Sequence, residues 1–183
     1  MISRDEAIRA VRNYISKENN LKHMIAVGAI MRELAMNLGE DALKWEVTGI
    51  LHDIDFEICD APSKHTLEAK ELLQGFVDDE IINSILAHNY EYTSVLPDSK
   101  FKKALIASDA ASGLIVACAL VMPSKKLEEV KLETLLKKYR SKDFAKNVSR
   151  ERIAICEQLG LSIEQYLQIA LNGMKRVHQE LGL

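Results

Sequence analysis

The sequence predicts an all-α fold in a single domain, and three observations support this. Only 8 Gly and 3 Pro interrupt the 183 residues, and the stretches between them are rich in good helix formers. Apolar residues in those stretches recur at helical spacing, with no pair of alternating segments that would indicate a hairpin. The length suits one domain with a single sizeable core.

Capping signals and apolar periodicity predict three helices in the first third of the chain. Ser3 and Glu6 form a capping box that opens the first helix. Asn20 is expected to cap the second helix, which carries one apolar stripe and stops at Gly39. The predicted helices span residues 3–19, 20–39 and 41–53.

Three more helices are predicted in the middle of the chain, over residues 63–75, 78–88 and 104–122. The last of them holds a single charged residue, Asp109, and is long enough to cross a membrane. A carboxylate at the centre of a membrane span costs about 2.5–3.5 kcal/mol, and neighbouring Ala, Ser and Gly return little apolar gain. We therefore predict a buried central helix.

The remainder, residues 125–183, is predicted to form three further helices. Ser149 would cap one of them, and Ser162 with Gln165 forms a second capping box. His178 is expected at a partly exposed helix end, where an imidazolium interacts favourably with the helix terminus. We place it outside any functional site.

Composition excludes several classes of protein. A formal net charge of −3 with 48% hydrophobic residues excludes disorder and argues against binding of nucleic-acid polymers. The three Cys are widely spaced with no CxxC, which fits neither a disulfide framework nor a zinc ribbon. The first residues carry acidic side chains and lack the apolar core of a signal peptide. We expect a cytoplasmic protein with no membrane partner.

Four of the five histidines lie in the first half of the chain, each beside an apolar helical stretch. Any one of them alone is more simply a core or surface histidine. Asp109 is different, because an ionised carboxylate in an uncharged helix must be paired or bind a metal. An Arg or Lys partner remote in sequence is one alternative. The doublet His52-Asp53 can direct an imidazole and a carboxylate to one cation.

Six of these side chains occur in the order His23, His52, Asp53, His65, His88 and Asp109. This order resembles the HD superfamily of metal-dependent phosphohydrolases, which is named for the His-Asp doublet. SKHTLEAKELL and IINSILAH look like the extra histidine motifs of members with two metal ions. LHDIDFE, KALIASDAASGLIVACALVMPSKK and DFAKNVSRE are similar to segments of small stand-alone bacterial members. The resemblance implies an HD-type helical core over roughly residues 20–125, with additional C-terminal helices over 126–183.

The resemblance also implies which residues bind metal. His23, His52, Asp53 and Asp109 would hold a first ion, and His65 and His88 would complete a second site that Asp53 bridges. Imidazoles combined with carboxylates favour a divalent transition ion over magnesium or calcium. We expect one or two ions of iron or manganese, with zinc, cobalt and nickel as alternatives.

The chain departs from two HD patterns next to the doublet. Many two-metal HD phosphodiesterases have Lys three residues after the doublet Asp, where this chain has Phe56. The Glu-Asp pair of the HD enzymes that act on guanosine tetraphosphate is not reproduced in HDIDFE. Both activities are therefore disfavoured. We assign catalytic roles to Asp53, Asp55 and Glu57, with a solvated loop as the alternative for the last two.

A basic segment follows the Asp109 helix: residues 125–150 hold nine basic and four acidic side chains. Within it, Lys125 and Lys126 are predicted to approach a substrate phosphate, which requires the chain to fold back towards the site. The alternative is a solvated helix face with i,i+4 ion pairs.

The resemblance implies a metal-dependent phosphohydrolase that uses metal-activated water on a small phosphate mono- or diester, most simply a nucleotide. HD-type di-iron oxygenases share nearly the same ligands and form the first alternative. A non-catalytic metal- or nucleotide-binding module is the second.

Overall fold

The computed structural model describes residues 2–183, and in that range it contains eleven α-helices and no strand. The prediction of an all-α fold is confirmed. The α-helices are α1 (Arg4–Arg12), α2 (Glu18–Leu38), α3 (Ala42–Leu51), α4 (Leu67–Leu73), α5 (Asp79–His88), α6 (Tyr90–Thr93), α7 (Lys100–Leu120), α8 (Leu132–Arg140), α9 (Arg150–Ala154), α10 (Ile163–Arg176) and α11 (His178–Leu181). Two 3₁₀ segments cover Leu127–Glu129 and Ile155–Leu159.

Several predicted helix ends are confirmed by their caps. Both capping boxes are present, the first with Ser3 and Glu6 and the second with Ser162 and Gln165. Gly39 ends α2 in the left-handed conformation, with φ of 73°. These helix ends could be predicted from the sequence because their caps are hydrogen bonds between residues only three or four positions apart.

Two predicted boundaries were wrong because distant contacts decide them. α1 ends at Arg12 rather than Asn19, and α2 starts at Glu18 with Lys17 as its cap. Asn20 does not cap a helix, since its side-chain amide donates to Glu57 Oε1 at 2.8 Å.

α4 starts at Leu67 instead of residue 63, because Thr66 has φ of 69° and cannot continue a helix. In the C-terminal part, α10 ends before Val177, so His178 opens the separate short helix α11.

The central helix is α7, which starts at its Ser99 cap, earlier than predicted, and includes Asp109. By length and composition it could cross a membrane, but most of its apolar stretch is buried inside the protein. It packs against α2, α5, α9 and α10. The prediction of a buried central helix is confirmed.

α2 lies unusually close to two neighbouring helices, α3 and α10. A Cβ on Gly49 of α3 would lie 2.7 Å from Gly28 Cα of α2. A Cβ on Gly173 of α10 would lie 2.6 Å from the carbonyl oxygen of Ala29. Glycine therefore allows both contacts, and the first brings the end of α3 up to the start of α2, where His23 lies.

Candidate metal centre

Five separate segments bring the six predicted ligands to one place. His23 lies on α2, His52 and Asp53 follow α3, His65 precedes α4, His88 ends α5 and Asp109 is on α7. A cavity of about 380 Å³ opens among them. Its wall also includes Asn20 and Phe56.

Asp53 is at the centre of the group. Its Oδ1 lies near the Nε2 atoms of three histidines: 3.4 Å from His52, 3.2 Å from His65 and 3.7 Å from His88. Its Oδ2 is 3.6 Å from Nε2 of His23. One carboxylate is therefore within reach of all four imidazoles.

Asp109, on α7, lies close to the same histidines. Its Oδ1 is 3.1 Å from His23 Nε2 and 3.8 Å from His52 Nε2. Its Oδ2 is 3.8 Å from His88 Nδ1 and 3.9 Å from Arg152 Nη1. Asp109 thus lies near Arg152, a cation remote in sequence of the kind that was one alternative for its partner. It also lies beside the histidines.

Three buried atoms in this group have no hydrogen-bond partner in the part of the chain that the structure describes: His52 Nε2, Asp53 Oδ1 and His88 Nδ1. Leaving such atoms unsatisfied costs about 1–3 kcal/mol each. Because all three point into one site, a cation is the simplest group that would satisfy them together. The residues therefore fit a bound metal ion.

Hydrogen bonds orient three of the imidazoles with Nε2 towards the cavity. His52 Nδ1 lies 2.8 Å from the carbonyl oxygen of Gly49, to which it can only donate. Ser112 Oγ donates to the carbonyl oxygen of Asp109, so it accepts from His23 Nδ1 at 3.2 Å. His65 Nδ1 is 2.9 Å from Asp55 Oδ1. These bonds direct the Nε2 atoms of the three rings towards the cavity, where they would bind a metal in place of a proton.

The donor atoms divide into two groups that share one residue. Donor atoms of His23, His52 and Asp53 lie within 4.8 Å of one another, and so do those of Asp53, His65 and His88. Each group could hold an ion, with Asp53 common to both as the resemblance implied, but Asp109, the fourth implied ligand of the first ion, belongs to neither group.

Neighbouring carboxylates control the charge of two histidines. Burial would lower the pKa of His23, but the nearby carboxylates of Asp109 and Asp53 raise it to about 10. The pKa of His65 is likewise raised to about 10 against the effect of burial, by Asp53 and Asp55. Without a cation, protons on these two rings balance the carboxylates, and a metal ion would replace those protons.

The two carboxylates stay ionised for the same reason. Burial would raise the pKa of Asp53, but the surrounding imidazoles, chiefly those of His52 and His23, hold it well below its usual value. The pKa of Asp109 is also lowered against burial, by His88 when that ring is protonated and by His23 and His52. Burial lowers the pKa of His88 to about 4, so this imidazole is neutral and able to bind a metal.

Asp55 is fully buried and does not line the cavity. It accepts hydrogen bonds from the backbone N–H groups of Thr66 and Ala69, at 2.7 and 3.0 Å, as well as from His65. Asn89 holds the same loop by donating to the carbonyl oxygen of His65 at 2.9 Å. The structure thus places Asp55 behind His65, as a residue that positions it.

Glu57 also lies outside the cavity wall. It accepts hydrogen bonds from the backbone N–H of Ser16 and of Lys17, both at 2.9 Å, and from the Ser16 hydroxyl at 2.7 Å. Together with the bond from Asn20, these contacts attach the loop after the doublet to the start of α2. Glu57 therefore lies at the start of α2, the helix that carries the predicted ligand His23.

Lys125 and Lys126 follow the far end of α7, and neither lines the cavity. Asp109 is about 16 Å from the end of that helix by the rise per residue. Lys126 Nζ donates to the carbonyl oxygen of Gly182 at 3.2 Å. The role of these lysines in phosphate binding stays a prediction.

The cation beside the site is Arg152 of α9, which sequence reasoning missed. Besides its contact with Asp109, its Nη2 donates to the carbonyl oxygen of His88 at 3.1 Å and to Glu91 at 3.0 Å. It lies just beyond the basic segment that was singled out, and no local motif marks it. The C-terminal helices therefore contribute a side chain to the surroundings of the site.

An all-helical fold with histidines and aspartates converging on one cavity defines a candidate metal-dependent enzyme. The HD domain family model matches residues 20–114, which is more than half of the chain. The chain belongs to the HD domain family. Membership supports a hydrolase of the metal-dependent phosphohydrolase superfamily, and the His/Asp cluster is consistent with the divalent ions of that family.

Curated relatives named ribonuclease Y match much of the chain. The protein from Thermotoga petrophila is 30% identical over 168 residues, which cover 90% of this chain and 33% of that relative. The protein from Thermoanaerobacter pseudethanolicus is 28% identical over 172 residues, with the same coverage. That from Thermosipho melanesiensis is 34% identical over 99 residues, 51% of this chain and 19% of the relative.

The chain thus spans about a third of the length of the first two relatives. No solved structure matches the chain significantly.

Proposed function

We propose that this protein is a metal-dependent phosphohydrolase that cleaves a small phosphate mono- or diester, most simply a nucleotide. The observation that carries the proposal is the set of buried, unpaired His and Asp atoms around an open cavity. The relatives named ribonuclease Y favour a nucleotide-type substrate. We further propose a cytoplasmic location and a small phosphorylated molecule as the partner.

The chain's own residues would divide the work as follows. His23, His52, Asp53 and Asp109 would hold one ion, and Asp53, His65 and His88 would hold a second. Bound divalent transition ions, of which iron and manganese are the first candidates, would supply Lewis acidity that activates water and neutralises phosphoryl charge.

The neighbouring residues would prepare the site. Asp55 keeps the Nδ1 proton on His65, so that Nε2 is the free donor atom. Arg152 places positive charge next to Asp109 while it holds the end of α5 through the His88 carbonyl oxygen. Phe56 is exposed on the cavity wall, where it can contact the substrate outside the ligand group.

The decisive experiment is metal analysis of protein purified without chelator, followed by a phosphate-release screen over nucleotides and phosphodiesters. We expect two ions per chain and metal-dependent release. Asp53→Ala should abolish both, while circular dichroism stays helical because the core provides most of the stability. His178→Ala is the matched control, since His178 lies outside the cavity wall.

Different outcomes separate the alternatives. One ion per chain at saturation, unchanged in His65→Ala and His88→Ala, would contradict the second site. Oxygen consumption with substrate would replace the hydrolase by an oxygenase. Metal binding without turnover of any ester would leave a binding module.

Lys125 and Lys126 remain the proposed contacts for a substrate phosphate. The double variant Lys125→Ala, Lys126→Ala should raise the KM several-fold with kcat little changed, because a charged contact to the bound substrate is lost. His178→Ala should leave the KM unaltered. An unchanged KM in the double variant would remove these lysines from the substrate site.

A further inference from the structure

Two other cavities border the cavity at the metal centre and share different residues with it. The larger, about 540 Å³, lies between α2 and α7 and shares His23 with the metal centre. We call it the α2–α7 groove. The smaller, about 310 Å³, shares Phe56 and His65 with the metal centre. We call it the Phe56 pocket.

The α2–α7 groove has an apolar wall and a cationic edge. Val116, Ala117 and Leu120 of α7 form much of the wall, together with Gly113 one turn earlier. Lys22 lines the groove from α2. An apolar wall with a few polar groups is typical of sites for small organic ligands, which occupy roughly 300–1,000 Å³.

Positive charge collects at the end of this groove, around Gly182. A Cβ added to Gly182 would lie 3.1 Å from Lys22 Nζ, so this ammonium group is next to Gly182. Lys126 Nζ donates to the Gly182 carbonyl oxygen at 3.2 Å. Two ammonium groups beside an apolar wall suit a ligand with both a ring and a negative charge.

The Phe56 pocket exposes an aromatic ring next to the metal centre. Phe56 is 53% exposed, and its ring meets that of His65 edge-on, with centroids 6.2 Å apart. Pro62 and Asn89 also line this pocket. An exposed aromatic side chain beside a polar site offers a surface on which a flat ring can stack.

We propose that the α2–α7 groove and the Phe56 pocket are two subsites of one binding groove that crosses the metal centre. The ligand is a phosphodiester with a nucleoside-sized group on each side of the phosphate, one stacked on Phe56 and the other against Val116 and Ala117. This inference rests on the proposed function, because it places the phosphate at the metal ligands. A monoester would need only one cavity beside the metal centre, and the structure has two.

Turnover of two matched esters tests the proposal in metal-loaded protein. We expect kcat/KM for bis(p-nitrophenyl) phosphate to exceed that for p-nitrophenyl phosphate by about tenfold, the effect of roughly 1.4 kcal/mol from a second bound ring. Phe56→Ala and the groove-filling Ala117→Trp should each remove most of that advantage. Met36→Trp adds the same bulk at an exposed position of α2 and should remove none.

Equilibrium binding separates this proposal from the proposed function. The probe is the phosphorothioate dinucleotide UpU, titrated by calorimetry into metal-loaded protein. Phe56→Ala and Ala117→Trp should weaken its binding by about tenfold with unchanged metal content, whereas Met36→Trp should not. If Ala117→Trp does not fold, Ala117→Leu fills the groove less severely.

The outcomes are distinct. If neither ester is cleaved but the dinucleotide binds with this pattern, the proposed hydrolase fails and the binding groove stands. A preference for the monoester overturns the two-sided groove and leaves the hydrolase. Dinucleotide binding that is absent, or unchanged in both groove variants, also overturns the groove.

Discussion

Hydrogen-bonding groups behind the candidate ligands determine which imidazole nitrogen faces the cavity. Gly49, Ser112 and Asp55 each bond to Nδ1 of a different histidine, so Nε2 of all three is directed inward. Such partners usually matter to metal affinity nearly as much as the ligands themselves. At the scale of single residues, the site therefore extends at least one contact beyond the atoms that would touch a metal.

The first prediction at this scale concerns Asp55. Asp55→Asn replaces an oxygen that accepts hydrogen bonds with an N–H₂ group that cannot, so His65 or the Thr66–Ala69 backbone loses a partner. Metal affinity should fall about 10- to 100-fold, the usual effect of removing such a partner. Competition with a chromogenic chelator measures it.

Asp60→Asn is the matched control for that measurement, because exposed Asp60 bonds only to Lys64 among the contacts that the structure describes. Its metal affinity should equal that of the wild type. Equal affinity in Asp55→Asn would show that His65 needs no support from Asp55.

The second prediction is a pH dependence that arises at Glu57. Hydrogen bonds from the Ser16 side chain, the Ser16 and Lys17 backbone and Asn20 lower its pKa from 4.5 to about 2. Because the folded-state pKa is depressed, the stabilisation is complete above pH 4.5 and is lost as the pH falls towards 2.

Glu57→Gln should therefore unfold at lower urea concentration than wild type at neutral pH. The difference in free energy of unfolding should shrink as the pH falls from 4.5 to about 2. Glu71→Gln, on the exposed surface of α4, controls for loss of one negative charge. A difference that stays constant with pH would show that the Glu57 contacts do not stabilise the carboxylate.

Among the elements, the crossing of α2 and α3 has the greatest consequence for the site. Gly28 and Gly49 let the two helix backbones approach within van der Waals contact, and the carbonyl oxygen of Gly49 also holds His52. One short segment thus sets both the packing of two helices and the direction of a predicted ligand.

We predict that Gly49→Ala separates these helices. The added methyl would lie 2.7 Å from Gly28 Cα, and overpacking of this kind costs about 1–3 kcal/mol of stability. Metal affinity should fall as well, since His52 moves with Gly49. Chemical denaturation and metal titration measure the two effects.

Gly113→Ala provides the comparison on α7, because its methyl would meet only Val148 Cγ2, at 3.3 Å. It should be much less destabilising than Gly49→Ala. Similar losses in the two variants would mean that the close approach of the α2 and α3 backbones does not explain the loss in Gly49→Ala, since Ala favours a helix over Gly at both positions.

For the whole molecule, metal binding would connect segments that are up to 86 positions apart, from His23 to Asp109. A ligand that binds only the folded state stabilises it by about 2.7 kcal/mol when free metal is at 100 times its Kd. Removing metal with a chelator should therefore lower the Tm of the wild type by several degrees.

Differential scanning calorimetry with and without chelator measures this shift. Asp53→Ala, which removes the shared ligand, should show no further decrease on chelation. An equal decrease in both proteins would place the stabilising metal elsewhere.

Features that depend on residues close together in the chain could be predicted from the sequence. Capping boxes at Ser3 and Ser162 and the stop at Gly39 need only residues three or four positions away, so these helix ends were correctly predicted. The burial of α7 was predicted from its long apolar stretch, in which the central Asp109 disfavours a membrane span. The order of the His and Asp residues indicated the HD family, and thereby the group that the structure brings together.

Tertiary structure alone decided what depends on residues far apart in sequence. The start of α2 follows from the contact between Asn20 and Glu57, and the late start of α4 accompanies the bonding of Thr66 to Asp55. Arg152 reaches Asp109 only because α9 packs on α7. The α2–α7 groove lies between helices, and the Phe56 pocket is lined largely by the loop before α4. The shape of both depends on tertiary packing, which no local pattern of residues encodes.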